Sequence, residues 1–275
     1  MDVEQKVAAH YSHGSLEQII LKALTESGKD VDKLTPSDLS AADEFHLGWR
    51  AATIELAKDL GLSSNTRVLD IGAGIGGPAR YFAETFRSPV TGVDLTDDFV
   101  KVANSLTRRC GLDDLIDFQQ GSGLALPFAD QSFDVATLIH VGMNIADKAT
   151  LFAEARRVLK PGGRFGVYDI MRNDDSELPY PMPWAATADT SFVEPIGTYR
   201  ELLTRAGFRI EKERDRSELA LRLGREMREN TERYGAPPLG MHVLMGPASK
   251  ERLMNVMSSL SRGSIAPVEI IAVAA

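Results

Sequence analysis

The 275-residue chain has a single cysteine, Cys110. That excludes an internal disulfide and fits a reducing compartment, so a cytoplasmic protein is expected. Cys110 precedes a glycine at a helix end, which reads as a structural thiol rather than a nucleophile. No apolar run approaches the roughly 18–20 residues that a membrane span needs. The start, MDVEQKVAAHYSHG, lacks the charged-then-apolar order of a secretory signal. Basic charge is short as well: 31 Lys and Arg against 39 Asp and Glu leave a formal net charge of −8. A basic phosphate-binding surface, and with it a nucleic-acid partner, is therefore not expected. There is no internal repeat and no low-complexity tract. What remains, 43% hydrophobic and 25% charged residues, is ordinary globular composition, long enough for one large domain with insertions.

The most telling stretch is Arg67 to Arg80, RVLDIGAGIGGPAR. Val68, Leu69 and Ile71 make the apolar run of a short buried strand. Gly72, Gly74, Gly76 and Gly77 permit a tight turn and close approach of a ligand to bare backbone. Pro78 stands where a helix should begin. Gly72, Gly74 and Gly77 form a G-x-G-x-x-G, which suggests a dinucleotide and an NAD(P)-dependent oxidoreductase. Asp70 argues against it, because a carboxylate beside such a turn would face a pyrophosphate. The same carboxylate suits a cofactor carrying positive charge. S-adenosylmethionine (SAM) has an ammonium and a sulfonium and no phosphate.

Along the chain, the spacing predicts a helix over 15–28 with Ser15 as its cap and Gly28 as its stop, and a second over 41–61 that includes Phe45 and Leu47. From residue 66 strands and helices alternate. Strands are expected at 67–71, 89–94, 115–119, 133–139, 164–170, 208–213 and 267–274. Helices are expected at 77–87, 97–109, 147–159 and 197–206, with KPGG (160–163) as a sharp helix stop. Residues 214–264 read as mainly helical. The fold class is thus α/β, a doubly wound parallel sheet. Ligands of such a sheet bind at the carboxyl edge of its strands, so the Pro-rich stretch and the helical excursion are expected to cap that edge.

Four motifs in this order, VLDIGAGIGG, GVDLT (92–96), LPFADQSFDVA (126–136) and VLKPGGRF (158–165), resemble the class I SAM-dependent methyltransferases over roughly residues 60–213. GIGGPARY (74–81), HYSHGSLEQ (10–18), MPWA (182–185) and SIAPVEI (264–270) resemble, more narrowly, a bacterial small-molecule subgroup related to the sarcosine/dimethylglycine, tocopherol and sterol enzymes. The resemblance implies a mostly parallel seven-stranded Rossmann-like sheet with its last strand inserted antiparallel. The order of elements adds an N-terminal helical extension (1–63) ahead of the methyltransferase domain (64–275), with 171–196 and 214–264 as cap insertions.

For the cofactor, Asp70, Gly72 and Gly74 are expected against the methionine part of SAM, Asp70 orienting the loop and the ammonium. Asp94, ending its strand, can accept hydrogen bonds from both ribose hydroxyls, and Leu95 offers an apolar face to adenine. Gly121 to Leu124 follow the third strand. Ser122 stands where the family often has Asp, and an uncharged hydroxyl should hold adenine less strongly, with Gly123 and Leu124 packing beside it. Tyr11 lies in the segment that folds over the cofactor in the resembling subgroup. His10 and His13 lie nearby, but no ligand set of recognisable spacing completes a metal site. Bordering the acceptor, His140 ends the fourth strand; it is a base if the acceptor must lose a proton, and otherwise lines the wall or bonds the cofactor. Met143 and Asn144 are its neighbours in that wall, and Trp184 a candidate from the Pro-rich segment for an apolar pocket or a cation–π contact.

The expected activity is methyl transfer from SAM, leaving S-adenosylhomocysteine, to a small molecule at an amine nitrogen or at a natural-product oxygen or carbon. A SAM-binding regulatory protein without turnover is the non-enzymatic alternative. The sequence does not fix the oligomeric state, and a homodimer is one assembly open to it.

Overall fold

The structure, a computed structural model, describes residues 3–11 and 16–275. Ser15, the expected cap, and His13 lie outside the described residues. Four helices precede the sheet: α1 (Val3–Tyr11), α2 (Leu16–Glu26), α3 (Pro36–Asp43) and α4 (Trp49–Leu60). The alternating part follows as β1 (Val68–Ile71), α5 (Gly77–Phe86), β2 (Val90–Asp94), α6 (Asp97–Arg109), β3 (Ile116–Gln120) and β4 (Phe133–Ile139). It continues through α7 (Lys148–Val158), β5 (Leu159–Arg172), α8 (Ile196–Arg205) and β6 (Phe208–Asp215). Helices α9 (Ser217–Tyr234), α10 (His242–Met245) and α11 (Ser249–Arg262) lead to β7 (Ile265–Ala274).

The seven strands form one sheet in the order β3-β2-β1-β4-β5-β7-β6. β1 pairs parallel with β2 and β4, whereas β7 runs antiparallel between β5 and β6. Strand order reverses between β1 and β4, and a parallel sheet opens a crevice at such a switch point, outside the carboxyl ends of the strands. Both faces of the centre are covered. Every residue of β1 is buried, and apolar clusters around Leu69, Phe152 and Ile270 on one side and Val68, Phe82 and Val135 on the other hold the strand ends still. With no freedom there, the loops after β1, β2, β3 and β4 are presented from a rigid edge.

Three elements differ from the sequence expectation. The helix expected over 41–61 is two helices. α3 is begun by a capping box between Thr35 and Asp38, ends at Asp43, and α4 starts only after Gly48 at φ +87°. Between them a buried turn carries Glu44, Phe45, His46 and Leu47. Its polarity is satisfied inward, for the Glu44 carboxylate accepts from the Thr53 hydroxyl (2.6 Å) and from Arg50. Phe45 and Leu47 fit helical spacing, but the buried hydrogen bonds of Glu44 outweigh that spacing. KPGG is not a stop ahead of a strand. α7 ends at Val158, and residues 160–163 lie inside β5, where the register with β4 shifts between Phe133 and Val135. Finally, α1 is a helix the polar N-terminal sequence did not announce.

Candidate functional site

A cavity of about 250 Å³ opens at the carboxyl ends of β1, β2, β3 and β4. Asp70, Gly72, Gly74, Asp94, Leu95, Ser122, Gly123, Leu124, His140 and Asn144 all line it. The sheet thus gathers residues from four loops spanning more than 70 positions of sequence.

The glycine loop has its shape for steric and ionic reasons. Gly72 sits at φ +73°, and a Cβ there would stand 2.3 Å from the Val141 side chain. Gly74, at φ +55°, has open space where a Cβ would go, so its bare backbone faces the cavity. The carboxylate that holds this loop is Asp94, not Asp70. Asp94 accepts from the Gly74 amide (2.8 Å) with one oxygen and from the Thr96 amide (2.8 Å) with the other. Burial raises its pKa and those two amides counter the rise.

Asp70 is set differently. One oxygen accepts from the Thr137 hydroxyl of β4 (2.7 Å), while Oδ2 is buried with no hydrogen-bond partner. Burial, reinforced by the charges of Glu44 and Asp94, pushes its pKa up to about 7 against the Thr137 bond. A buried carboxylate oxygen without a donor is costly, and a cation in the cavity would relieve it.

His140 occupies the left-handed region at φ +53°, rare for a residue with a side chain, and its amide donates to the Tyr168 carbonyl (2.7 Å). Both ring nitrogens are buried and unpartnered, and burial, then the neighbouring His46, holds its pKa well below the usual value. His140 also lines a second, smaller cavity of about 30 Å³ together with Phe45, His46, Met143 and Trp184. The expected wall of Met143, Asn144 and Trp184 is therefore divided. Asn144 faces the larger cavity and ties the loop after β4 to the Trp184 carbonyl (2.8 Å), whereas Met143 and Trp184 line only the smaller one.

Ser122 is engaged with protein: its hydroxyl accepts from the Leu124 amide (3.1 Å) and donates to Glu4 of α1. Val3, Glu4 and Val7 bring α1 to the cavity. Tyr11 ends that helix, and its side chain lies outside what the structure describes. Among the described residues no group of three or more His, Cys, Asp or Glu could hold a metal ion.

Sequence reasoning missed the turn Asp43-Glu44-Phe45-His46. Asp43, Phe45 and His46 line the larger cavity. Behind them Arg80, fully buried, donates to Asp43 (2.8 Å) and to the Ile75 carbonyl (2.6 Å), fastening the turn to the glycine loop. The available signal was charge inside an apolar stretch: a Glu and a His flanked by Phe and Leu are expensive to bury without partners.

A family model described as a methyltransferase domain matches residues 69–167, the segment from β1 through β5 that builds most of the cavity. Residues 69–167 are a methyltransferase domain. A sterol 24-C-methyltransferase of Gibberella zeae is 39% identical over 127 residues, covering 44% of this chain and 33% of that enzyme. The methyltransferase GfsG of Streptomyces halstedii is 30% identical over 184 residues, 66% of either chain. The chain thus matches about a third of the sterol enzyme's length and just under two thirds of GfsG. Among solved structures, geranyl diphosphate C-methyltransferase of Streptomyces coelicolor superposes over all of this chain and 99% of its own, with TM-score 0.72 at 18% identity, a likeness of fold.

The methyltransferase family uses SAM, and the cavity's residues fit that group. A cationic ligand would supply the donor that Asp70 Oδ2 lacks, and Gly74 leaves room for close backbone approach. No Lys or Arg lines the cavity among the described residues, so a pyrophosphate would be left uncompensated there.

Proposed function

We propose that the protein transfers a methyl group from SAM to a small-molecule acceptor, at nitrogen, oxygen or carbon, by in-line displacement. The observation that carries the reading is the buried, unpartnered Oδ2 of Asp70 beside the glycine loop. When bound, the cofactor supplies an electrophilic methyl on a sulfonium. Asp70 receives its ammonium. Asp94, with its remaining lone pairs, accepts from ribose hydroxyls while holding Gly74 and Thr96. Leu95, Gly123 and Leu124 pack the adenine, and Ser122 stands at its edge. Tyr11 belongs to the segment closing over the cofactor. His140, shared by the two cavities, stands where acceptor and methyl meet; alignment there supplies much of the acceleration. Met143, Asn144 and Trp184 border the acceptor.

The smaller cavity also supports residues 1–63 as an extension and 171–196 and 214–264 as cap insertions on a domain over 64–275. Its walls draw on all three, through Leu47, Trp184 and Leu253. A net charge of −8 favours a small molecule over nucleic acid as the partner. A homodimer in the cytoplasm completes the proposal. No helix among the described residues is long and apolar enough to cross a membrane.

Calorimetry with SAM, S-adenosylhomocysteine and NADH tests the cofactor, and methyl-labelled SAM tests transfer. SAM binding with label passed to a small molecule is expected. NADH binding without SAM binding would overturn the reading.

A further inference from the structure

The smaller cavity has almost no charge to offer. Its walls are apolar apart from two imidazoles, His46 and His140. Of the acidic residues nearby, Glu44 is paired with Arg50, and Asp43, on the wall of the larger cavity, is paired with Arg80 through Oδ2 (2.8 Å) while its Oδ1 is buried without a partner. Among the described residues no Lys or Arg lines either cavity, so an anionic acceptor would find no counter-charge. A cationic acceptor in the smaller cavity would likewise meet no carboxylate on its walls, since Glu4, Asp43, Asp70, Asp94 and Asp147 all line the larger one.

The two imidazoles are not equivalent. Neither nitrogen of His140 has a partner, so nothing selects its tautomer or supports an imidazolium. His46 is held. Its Nε2 lies 3.0 Å from the Trp49 carbonyl and 3.1 Å from the Thr53 hydroxyl. That hydroxyl spends its proton on Glu44 (2.6 Å), so it can only accept from His46. Both neighbours of Nε2 are acceptors, which puts the ring proton on Nε2 and leaves Nδ1 as the lone-pair nitrogen. Glu44 Oε2 lies 3.7 Å from Nε2, beyond hydrogen-bond reach, and is linked to the ring through the Thr53 hydroxyl. The other groups around His46 are Asp43 on its own segment, Arg50 on α4, His140 (ring centroids 5.7 Å apart) after β4, and Tyr168 (5.9 Å) on β5. Burial holds its pKa down at about 4, so the resting lone pair is free at neutral pH. An imidazole whose tautomer is set by the Trp49 carbonyl and by a hydroxyl leading to a carboxylate has the lone pair a general base needs.

We infer that the acceptor is a neutral, largely apolar molecule bearing a hydroxyl or an enolisable carbon, and that His46 Nδ1 takes its proton. This rests on the methyl-transfer reading above. As the acceptor atom bonds to the methyl carbon, the carbon–sulfur bond breaks and its electron pair goes to sulfur. The acceptor's O–H or C–H bond gives its pair to the acceptor and its proton to Nδ1, which later releases that proton to solvent. Glu44 and Thr53 act through His46 as positioning residues.

The test incubates the full chain with methyl-labelled SAM and the deproteinised small-molecule fraction of a bacterial lysate. The products are split into a neutral solvent extract and a cation-exchange eluate. Label in the neutral extract is expected; label in the cationic fraction as a methylated amine would overturn the inference while leaving methyl transfer intact. SAM binding with no label in either would overturn the proposed function, and the inference with it. On the labelled acceptor, His46→Gln should lower kcat about 100-fold or more. It should leave KM and the SAM Kd within about threefold and abolish the acidic limb of the kcat–pH profile at saturating SAM. Unchanged kcat would exclude His46 as the base. Should that variant not fold, Thr53→Val keeps the imidazole but strips its link to Glu44. It should cost about tenfold in kcat at constant KM, and no change would overturn the role.

Discussion

Lowering the pH should weaken SAM binding through one carboxylate. With a pKa of about 7 in the empty protein, Asp70 is about half ionised at pH 7 and about 3% ionised at pH 5.5. If the ammonium binds only the ionised form, the apparent Kd should rise about fifteenfold over that interval, or about 1.6 kcal/mol. The ligand's own amine, with an ordinary pKa of about 7.7–8.0, stays mostly protonated throughout. Binding should release close to one proton at pH 5.5 and about half a proton at pH 7. Calorimetry in two buffers of different ionisation enthalpy measures both quantities. Asp70→Asn should remove the pH dependence and the released proton, and weaken SAM by about 1.5–3 kcal/mol at pH 7. Stability of the empty protein should move the other way. The folded pKa lies above the ordinary carboxyl value of 3.8, so the relevant stability is fully present below 3.8 and is lost as the pH rises through about 7. The loss approaches about 4 kcal/mol for a shift of that size, and Asp70→Asn should recover part of it as a higher melting temperature above pH 7. A Kd unchanged between pH 5.5 and 7, or a pH dependence that survives in Asp70→Asn, would refute the assignment.

Other substitutions probe the supports of the site. Arg80→Met leaves the buried Asp43 charge without its partner and should destabilise by about 3–5 kcal/mol in urea unfolding; adding Asp43→Leu should restore much of the loss. Gly77→Ala places a Cβ 2.1 Å from the Asp43 carbonyl and should cost about 1–3 kcal/mol or more. Gly28→Ala, at φ +75° in open space, should cost only about 1–2 kcal/mol by the same measurement. Asp94→Ala frees the Gly74 and Thr96 amides and should weaken SAM by about 1–3 kcal/mol in calorimetry; unchanged affinity would remove Asp94 from the site.

Local pattern was enough for much of this protein. The apolar run before Asp70, the glycine turn and the alternation of strand and helix are properties of short segments, and each formed close to where its residues predict it. The residues expected at the cofactor, from Asp70 to Leu124, also meet in one cavity, because strand ends in a parallel sheet lie side by side wherever they fall in sequence. The turn at 43–48 could not be read that way. Phe45 and Leu47 keep helical spacing, and only the Arg80, Arg50 and Thr53 partners of Asp43 and Glu44, contributed from elsewhere, make a buried break affordable.

The division of labour between the two carboxylates was likewise a tertiary matter. Sequence alone determined that an Asp stands beside the glycine turn and another ends the next strand. The packing decided that Asp94 holds the loop while Asp70 keeps an oxygen free, because a hydrogen bond depends on which donors come within about 3 Å. It also placed His46, from a segment before the sheet begins, against His140 at the end of β4. Periodicity along a chain reports which residues share a face of one element. It carries no record of which faces meet, and the acceptor end of this site is made where they do.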